Sequence, residues 1–300
     1  MGSSLSTVVV VGLEHRRQPA SGPSARSGAV LWPEAGKQVF DAGRLPVRGP
    51  LGQVVAYYWW VVWRHARPRP FRQQVLTNPV THLTVEAAEG GILHGRPVPA
   101  ALVHGLVTEV FTVDLPLAGR VAGIAFHPGG LSALLGRSVH ELTDAVVGAE
   151  EVFGPGVATF TEQVLRTDDD ESRRDTALTF LSAHLEHRGE QVLADEGYRT
   201  VRQAVELMGN RDHVSLAPIA EQVHVSERTL QRLFRRYVGA SPLWVLRRHR
   251  LQDAVTTLDA GQGRDLSALA AELGFADHAH FTRAFTRVIG VPPSHYRRGG

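Results

Sequence analysis

Arginine, glutamine and histidine side chains recur at helical spacing in two stretches near the C-terminal end of the chain. Guanidinium groups donate hydrogen bonds to phosphate oxygens and guanine edges, and glutamine amides pair with the adenine edge. On one face of a helix that fits a major groove, such residues would contact base edges and phosphates. Their types and spacing therefore indicate nucleic-acid recognition. The first stretch carries Arg228, Gln231, Arg232, Arg235 and Arg236, and the second His278, Ala279, His280, Thr282, Arg283 and Arg287.

Each stretch belongs to one copy of an internal repeat. Residues 215–242 and 265–293 align at an offset of 50 that becomes 51 after one inserted residue. In each copy, apolar residues at i, i+3, i+4 and i+7 predict a short helix, which a turn and a second amphipathic helix follow. An Arg-rich helix alone also fits a solvated surface. Two copies with a helix-turn-helix layout favour nucleic-acid binding instead.

Side chains that can cap a helix mark the boundaries within the repeat. Ser215 and Asp265 are predicted to cap the two first helices. Ser226 and Asp277 are predicted to cap the two second helices. The oxygens of such residues accept hydrogen bonds from backbone N–H groups that have no partner inside the helix.

A connecting helix is predicted between the two copies. Ser241-Pro242 is an N-cap followed by proline at the first helical position, and the helix should run to about Asp259. Arg247, Arg248 and Arg250 are expected to face DNA or solvent. Two recognition helices in successive major grooves on one face of DNA must lie about 34 Å apart, and a stiff helix would set that separation.

The tandem pattern resembles that of the AraC/XylS transcription regulators. The second copy reads GFADHAHFTRAFTRVIGVPPSHYRR from Gly274 to Arg298, and the likeness covers residues 198–298. It implies a regulator that binds double-stranded DNA, works with RNA polymerase, activates more often than it represses, and responds to a small molecule in its N-terminal domain. The family's base- and backbone-contacting positions fall at Arg228, Gln231, Arg232, His278, Ala279, His280, Thr282 and Arg283.

Charge is unevenly distributed along the 300 residues, although the net charge is only +2. From Tyr198 onward there are 15 arginines and 9 acidic residues, a net +6, whereas the preceding 197 residues carry 17 basic and 21 acidic groups, a net −4. This asymmetry fits a DNA-binding head on a sensing or assembly domain. Arg235 and Arg287, on the basic faces, are predicted to contact phosphates.

The absence of certain residue types and motifs from the sequence excludes several classes of protein function. The chain has no cysteine, and hence no disulfide, thiolate metal ligand or cysteine nucleophile. Because we find no metal-ligand spacing and no Gly-x-Ser-x-Gly motif, we predict no catalytic residues, no cofactor and no metal site. No apolar run approaches the 18 residues typical of a membrane span, and the cytoplasm is the expected location.

The amino-acid composition of the N-terminal two thirds of the chain changes along its length. Residues 1–28 are rich in Ser, Gly, Pro and Arg and are predicted to be disordered, with a short docking strand at 8–11 as the alternative. Residues 29–153 hold short β-branched runs broken by Gly and Pro, which predict an antiparallel sheet or small barrel with closing helices. Residues 154–197 are predicted to be a helical linker, and 198–298 the all-helical module. The predicted fold class is therefore α+β.

Several features of the β-rich part leave alternatives open. The aromatic run at 57–63 shows rings on both faces of a strand, one facing the core and the other either a ligand pocket or a dimer interface. Gly129-Gly130, in a segment that resembles sensor domains fused to AraC-type heads, favours a tight turn over an anion site. Ser138 and Glu141 predict a capping box within a short helix pair. Four histidines are expected to be structural: His82, His94, His104 and His127.

The predicted linker carries Leu178, Leu181 and Leu185 on one helical face. That face is either a homodimer seam or part of an ordinary intradomain helix. For the whole protein, the main interpretation is a ligand-responsive regulator. The alternatives are a ligand-independent regulator whose β-rich domain only dimerises, and an enzyme domain fused to a DNA-binding head. The sequence does not identify ligand-binding residues.

Overall fold

A computed structural model of the protein describes residues 29–31, 39–66, 69–188, 191–210, 215–260 and 265–296. The disorder expected for 1–28 therefore lies outside the described residues. A β-rich region precedes a helical one, so the fold is α+β, as the sequence predicts. No described helix combines the length and the hydropathy that a membrane span requires.

The strands lie between residues 29 and 148, where the sequence has its β-branched and aromatic runs. They are Ala29–Val30 (β1), Phe40–Pro46 (β2), Val55–Arg64 (β3), Phe71–Leu76 (β4), His82–Ala88 (β5), Ile92–Leu93 (β6), Arg96–Pro97 (β7), Ala100–His104 (β8), Phe111–Leu115 (β9), Ala118–Phe126 (β10) and Val146–Gly148 (β11).

Two antiparallel sheets and a hairpin contain these strands. One sheet has the order β1-β4-β9 and the other the order β11-β8-β5-β10-β3-β2, while β6 pairs with β7. The long β10–β3 ladder runs from Ala118 opposite Arg64 to Phe126 opposite Val55, with a bulge near its end. The predicted antiparallel architecture is therefore present.

Strand β3 is covered on both faces, as its lack of polar alternation suggests. Side chains alternate across a strand. Tyr58 is 1% exposed in the largest core cluster, whereas Trp63 is 2% exposed in a separate cluster with Phe71 and Leu115. Because Trp63 packs inside its own chain, the second face of the aromatic run is disfavoured as a dimer interface.

The helices follow from residue 130 onward. They are Gly130–Leu135 (α1), Ala149–Phe153 (α2), Val157–Arg166 (α3), Asp170–Arg188 (α4), Gln191–Ala194 (α5), Glu196–Met208 (α6), Leu216–Gln222 (α7), Glu227–Tyr237 (α8), Pro242–Asp259 (α9), Leu266–Glu272 (α10), His278–Ile289 (α11) and Pro293–Tyr296 (α12).

The segment predicted as a linker packs against its own chain. Leu181 of α4 is fully buried, and Leu178 and Leu185 are half-buried against the same core cluster. Tyr58 of β3 donates a hydrogen bond to Asp170 at the start of α4, over 2.9 Å. Of the two alternatives for this leucine face, the structure supports the intradomain helix.

The predicted capping box at Ser138 is wrong. Ser138 Oγ accepts a hydrogen bond from the backbone N–H of His140, and only a single 3₁₀ turn, His140–Leu142, follows. The expected helix pair is thus α1 plus this turn. Gly129 does form the expected tight turn, because its φ of +84° is left-handed and favours glycine.

The largest core cluster joins the β-rich region to the first helix-turn-helix. It contains Leu83 and Phe126 from the sheet together with Leu230 and Phe234 of α8. A second cluster lies around Phe281 and Phe285 of α11. The two copies of the repeat therefore belong to different cores.

Candidate nucleic-acid interface

The first helix-turn-helix consists of α7 and α8. Ile219 and Ala220 of α7 and Leu230 and Phe234 of α8 are buried, at the positions that the apolar periodicity predicts. The second copy, α10 and α11, buries Leu269, Ala270, Phe281 and Phe285 in the same pattern. The amphipathic helices of the repeat thus present their apolar faces to the protein.

Both copies turn in the same backbone conformation. His224 has a φ of +55° and Gly274, 50 residues later, a φ of +69°. In each copy the next residue donates its N–H to the residue five positions earlier, from Val225 to Ala220 and from Phe275 to Ala270. The structure confirms that the two halves are copies of one unit.

Three of the four predicted caps in the repeat are confirmed. Ser226 accepts a hydrogen bond from the Thr229 N–H (3.1 Å), Asp277 from that of His280 (2.6 Å), and Asp265 from that of Ser267 (3.2 Å). Ser215 occupies the N-cap position, but its side chain makes no capping hydrogen bond. The prediction for its side chain is therefore wrong.

The predicted recognition residues lie on the outer faces of α8 and α11. Neither Arg232 nor Arg283, which are equivalent in the repeat, has an ion-pair partner among the described carboxylates. Both side chains are exposed and can contact a polyanion. The exposed members of the set are Arg228, Gln231, Arg232, Arg235, His278, Ala279, Arg283 and Arg287.

Two members of the predicted set are less accessible. His280 is half-buried, with its ring 5.5 Å from that of Phe275 in an edge arrangement. Thr282 is half-buried, and its hydroxyl lies 3.4 Å from Nε2 of His278. These residues therefore stand at the rim of the exposed face.

Helix α9 begins at Pro242, behind the Ser241 cap, and ends at Asp259, as predicted. At about 1.5 Å per residue, its 18 residues span about 27 Å. The expected orientation of Arg248 is wrong. Arg248 is 2% exposed, and its guanidinium donates to the backbone carbonyls of residues 107–109 in the β-rich region. Burial lowers the pKa of Arg248 to about 10.

Comparison with known proteins assigns the two regions separately. Residues 219–299 match the family described as "Helix-turn-helix domain", and residues 44–148 match a "Domain of unknown function (DUF6597)". A putative AraC-like transcription regulator of Streptomyces lividans is 34% identical over 84 residues, or 28% of this chain and 27% of that protein. The arabinose operon regulatory protein of Salmonella typhimurium is 26% identical over 241 residues, or 80% of this chain and 67% of that protein.

The C-terminal region of the chain is similar to AraC-type transcription regulators. Its alignment spans less than a third of the length of the Streptomyces relative. Among solved structures, a probable AraC family transcriptional regulator from Rhodopseudomonas palustris is 28% identical over 33% of this chain and 95% of that one, with a TM-score of 0.31. ToxT from Vibrio cholerae is 13% identical over 87% of this chain and 98% of that one, with a TM-score of 0.36.

In this AraC-type module the β-rich region supports the first recognition helix. The last carbonyls of a helix have no partner inside it. Here the Val139 N–H donates to the Arg236 carbonyl at the end of α8 (3.1 Å), and the Thr143 hydroxyl donates to the Gly239 carbonyl just beyond it (3.1 Å). The N-terminal region thus supplies hydrogen-bond donors to the carbonyls at the C-terminal end of the first recognition helix.

A second set of contacts holds the start of the AraC-type module. Tyr237 of α8 donates to both carboxylate oxygens of Asp195, over 2.6 and 2.8 Å, and burial together with Asp195 raises its pKa to about 12. The Tyr198 hydroxyl donates to the Gln53 carbonyl (2.7 Å), and Arg202 donates to the same oxygen. Helix α6, which starts at Glu196, is therefore tied both to α8 and to the β-rich region.

The four histidines of the β-rich region fall into two groups. His82 accepts a hydrogen bond from Trp59 Nε1 (3.2 Å), and burial lowers its pKa to about 3. His127 donates to the Gly52 carbonyl (3.2 Å), and burial lowers its pKa to about 4. Both fit the structural role expected of them. His94 and His104 instead converge on Glu86, a cluster that cannot be recognised in the sequence because its members have no metal-ligand spacing.

Proposed function

We propose that this protein is a sequence-specific DNA-binding transcription regulator. The observation that carries the proposal is the pair of matched outer faces on α8 and α11, which the same turn geometry presents outward in both copies of the repeat. In this proposal the two helices enter adjacent major-groove segments. Arg232 and Arg283 are the anchors, Arg228, Gln231 and His278 contact base edges, and Arg235 and Arg287 contact phosphates.

The test begins with selection of bound fragments from genomic DNA by the purified full-length chain. Gln231→Ala should relax preference at one base pair, because a good bidentate contact discriminates by about 1–3 kcal/mol. Gln222→Ala is the matched control, since Gln222 is an exposed glutamine on the supporting helix α7. An unchanged base preference in Gln231→Ala would show that Gln231 does not contact a base edge.

Arg287→Ala should weaken binding to all sequences alike. Loss of one phosphate contact should reduce the slope of log K against log salt concentration by about 0.9. Arg166→Ala, on an exposed position of α3, is the control for removing one positive charge. If the salt slope of Arg287→Ala equals that of the control, the phosphate-contact assignment fails.

Control by a small-molecule effector, activation through RNA polymerase, and a homodimer belong to the same proposal. A thermal-shift screen of metabolites should use the full-length chain, because the core of the β-rich region continues into α8. An effector should raise the unfolding temperature and change operator affinity together. A dimerising β-rich domain without an effector would give a concentration-dependent mass and no hit in the screen. In vitro transcription from the selected operator decides between activation and repression.

A further inference from the structure

One carboxylate and two imidazoles meet in the interior of the β-rich region. Glu86 lies on β5, His94 in the turn between β6 and β7, and His104 at the end of β8. One ligand-type atom from each lies within 4.8 Å of the others. Glu86 is 1% exposed and the two imidazole side chains are 11% and 8% exposed, so solvent barely reaches the three groups.

Hydrogen bonds hold one oxygen of the Glu86 carboxylate in place, whereas the other oxygen accepts none from the described residues. Its Oε1 accepts hydrogen bonds from His104 Nε2 and from the Thr84 hydroxyl, both over 2.7 Å. His94 Nε2 lies 3.2 Å from Oε2, but out of line for a hydrogen bond, so Oε2 is buried and accepts none from the described residues. A buried carboxylate oxygen without a hydrogen bond is costly unless something else compensates it.

Burial by itself raises the pKa of Glu86. The hydrogen bond from His104 and the electrostatic interaction with the two imidazoles lower that pKa by more. Phe111 of β9 closes the other side of the cluster, with its ring centroid 5.3 Å from that of His94 and 6.0 Å from that of His104. An anionic ligand atom, two imidazoles and an apolar wall therefore stand together between the two sheets.

We propose that Glu86, His94 and His104 bind a divalent transition-metal ion of the zinc class. Two imidazole nitrogens and one carboxylate oxygen are a donor set that suits Zn²⁺ or Fe²⁺, whereas Mg²⁺ and Ca²⁺ prefer oxygen ligands alone. The Thr84 hydroxyl orients the carboxylate as an outer hydrogen-bond partner, a common arrangement around metal ligands. This site is independent of the DNA-binding proposal.

The cluster needs little movement to coordinate an ion. Tetrahedral zinc with bonds of about 2.1 Å places its ligand atoms about 3.4 Å apart. Nε2 of His104 lies 2.7 Å from Oε1 of Glu86, Nε2 of His94 lies 3.2 Å from Oε2, and one ligand atom from each of the three residues lies within 4.8 Å of the others.

The backbone at His94 is unusual in a way that points to its side chain. Its φ is +52° and that of Gly95 is +70°, the two positive values of a type I′ hairpin turn. Asn, Asp and Gly favour the first of these positions, and a positive φ is uncommon for any residue other than glycine. Unfavourable backbone geometry clusters at functional sites. His94 therefore occupies a position where asparagine would stabilise the turn and remove the imidazole ligand.

The test uses the full-length chain without an affinity tag, stripped of metal by a chelator. Titration with ZnCl₂ in a calorimeter should show one ion per chain and a dissociation constant at or below about 1 μM. CoCl₂ should give visible d–d absorption that excess Zn²⁺ abolishes and Mg²⁺ does not. Absence of saturable Zn²⁺ binding in this range overturns the proposal.

Variants locate the ion. His94→Asn suits the left-handed backbone, so it should fold at least as stably as the natural chain while binding Zn²⁺ at least about 100-fold more weakly, given that losing even an outer-shell partner costs 10–100-fold. Glu86→Gln should show a comparable loss. His295→Gln removes an exposed imidazole on α12 and should bind like the natural chain. Equal affinity in His94→Asn, or an equal loss in His295→Gln, would place the metal elsewhere and refute the assignment.

Discussion

A single backbone position in the first helix-turn-helix carries a stability cost that its counterpart avoids. His224 adopts a left-handed φ of +55°, where the second copy has Gly274. A side chain in this conformation costs about 1–2 kcal/mol, part of which glycine loses again through its greater freedom in the unfolded chain. His224→Gly should therefore raise the free energy of unfolding by about 0.5–1 kcal/mol.

Urea denaturation of the full-length chain measures this change. Gly274→Ala is the reciprocal experiment and should lower the free energy of unfolding by about 1 kcal/mol, because it introduces a Cβ at a φ of +69°. A destabilised His224→Gly would mean that the imidazole makes contacts that outweigh its backbone cost.

His127 predicts how stability depends on pH. Its pKa is about 4 in the folded protein and about 6.5 in the unfolded chain, because burial disfavours the imidazolium, with the nearby Arg202 charge adding to the effect. On acidification the unfolded state binds this proton first. The stabilisation is therefore complete above about pH 6.5 and is lost as the pH falls toward 4, by up to about 3 kcal/mol.

Chemical denaturation from pH 7.5 to 4.5 checks this prediction. His127→Gln should flatten the pH dependence in this window, and Gln can still donate toward the Gly52 carbonyl. His295→Gln, at an exposed position, should leave the slope unchanged. Equal slopes in all three proteins would show that other groups dominate the acid response.

The outward-facing positions of α8 and α11 could be predicted from sequence, because helical period and amphipathicity are local properties. The orientation of Arg248 could not. Helix α9 is buried around most of its circumference, so its sequence has no single apolar face that separates inward from outward arginines. The cluster of Glu86, His94 and His104 was also out of reach, since strand pairing and a hairpin turn assemble it from three segments.

At the level of secondary-structure elements, the caps of the repeat make a graded prediction. Ser226→Ala and Asp277→Ala each remove an acceptor from a backbone N–H at the start of a recognition helix. Loss of such a cap costs about 1 kcal/mol. Ser215→Ala, at the same position of α7, should change stability little, because the Ser215 side chain makes no capping hydrogen bond.

The three caps are compared by urea denaturation of otherwise identical chains. Sequence alone ranked Ser215 with the other caps, because residue type and position are all that a sequence shows. Hydrogen-bond geometry separates Ser215 from them. A loss in Ser215→Ala as large as that in Ser226→Ala would restore the prediction made from sequence.

At the scale of the whole molecule, the sequence predicts a basic head on a separate β-rich body, and the structure joins the two more closely. The core that holds Phe234 continues without a break into the sheet residues Leu83 and Phe126. The core around Phe285 meets the β-rich region, within the described residues, through Leu31 and Leu76 together with the half-buried Val110. Contacts between segments that are distant in sequence determine which residues share a core. Local sequence patterns do not predict such contacts.

Phe234 and Phe285 occupy equivalent positions of the repeat and are both fully buried, so they form a matched pair for testing this partition. Replacing either by alanine should cost about 3–5 kcal/mol. Because the Phe234 core extends into the sheet, Phe234→Ala should speed hydrogen exchange of the β10 amides along with those of α8. Phe285→Ala should speed exchange in α10 and α11 while leaving β10 protected, since local opening need not involve the other core. Mass spectrometry of peptides from residues 118–126 distinguishes the two outcomes. Equal exchange rates of the β10 amides in both variants would mean that the two helix-turn-helix units and the β-rich region unfold as one unit.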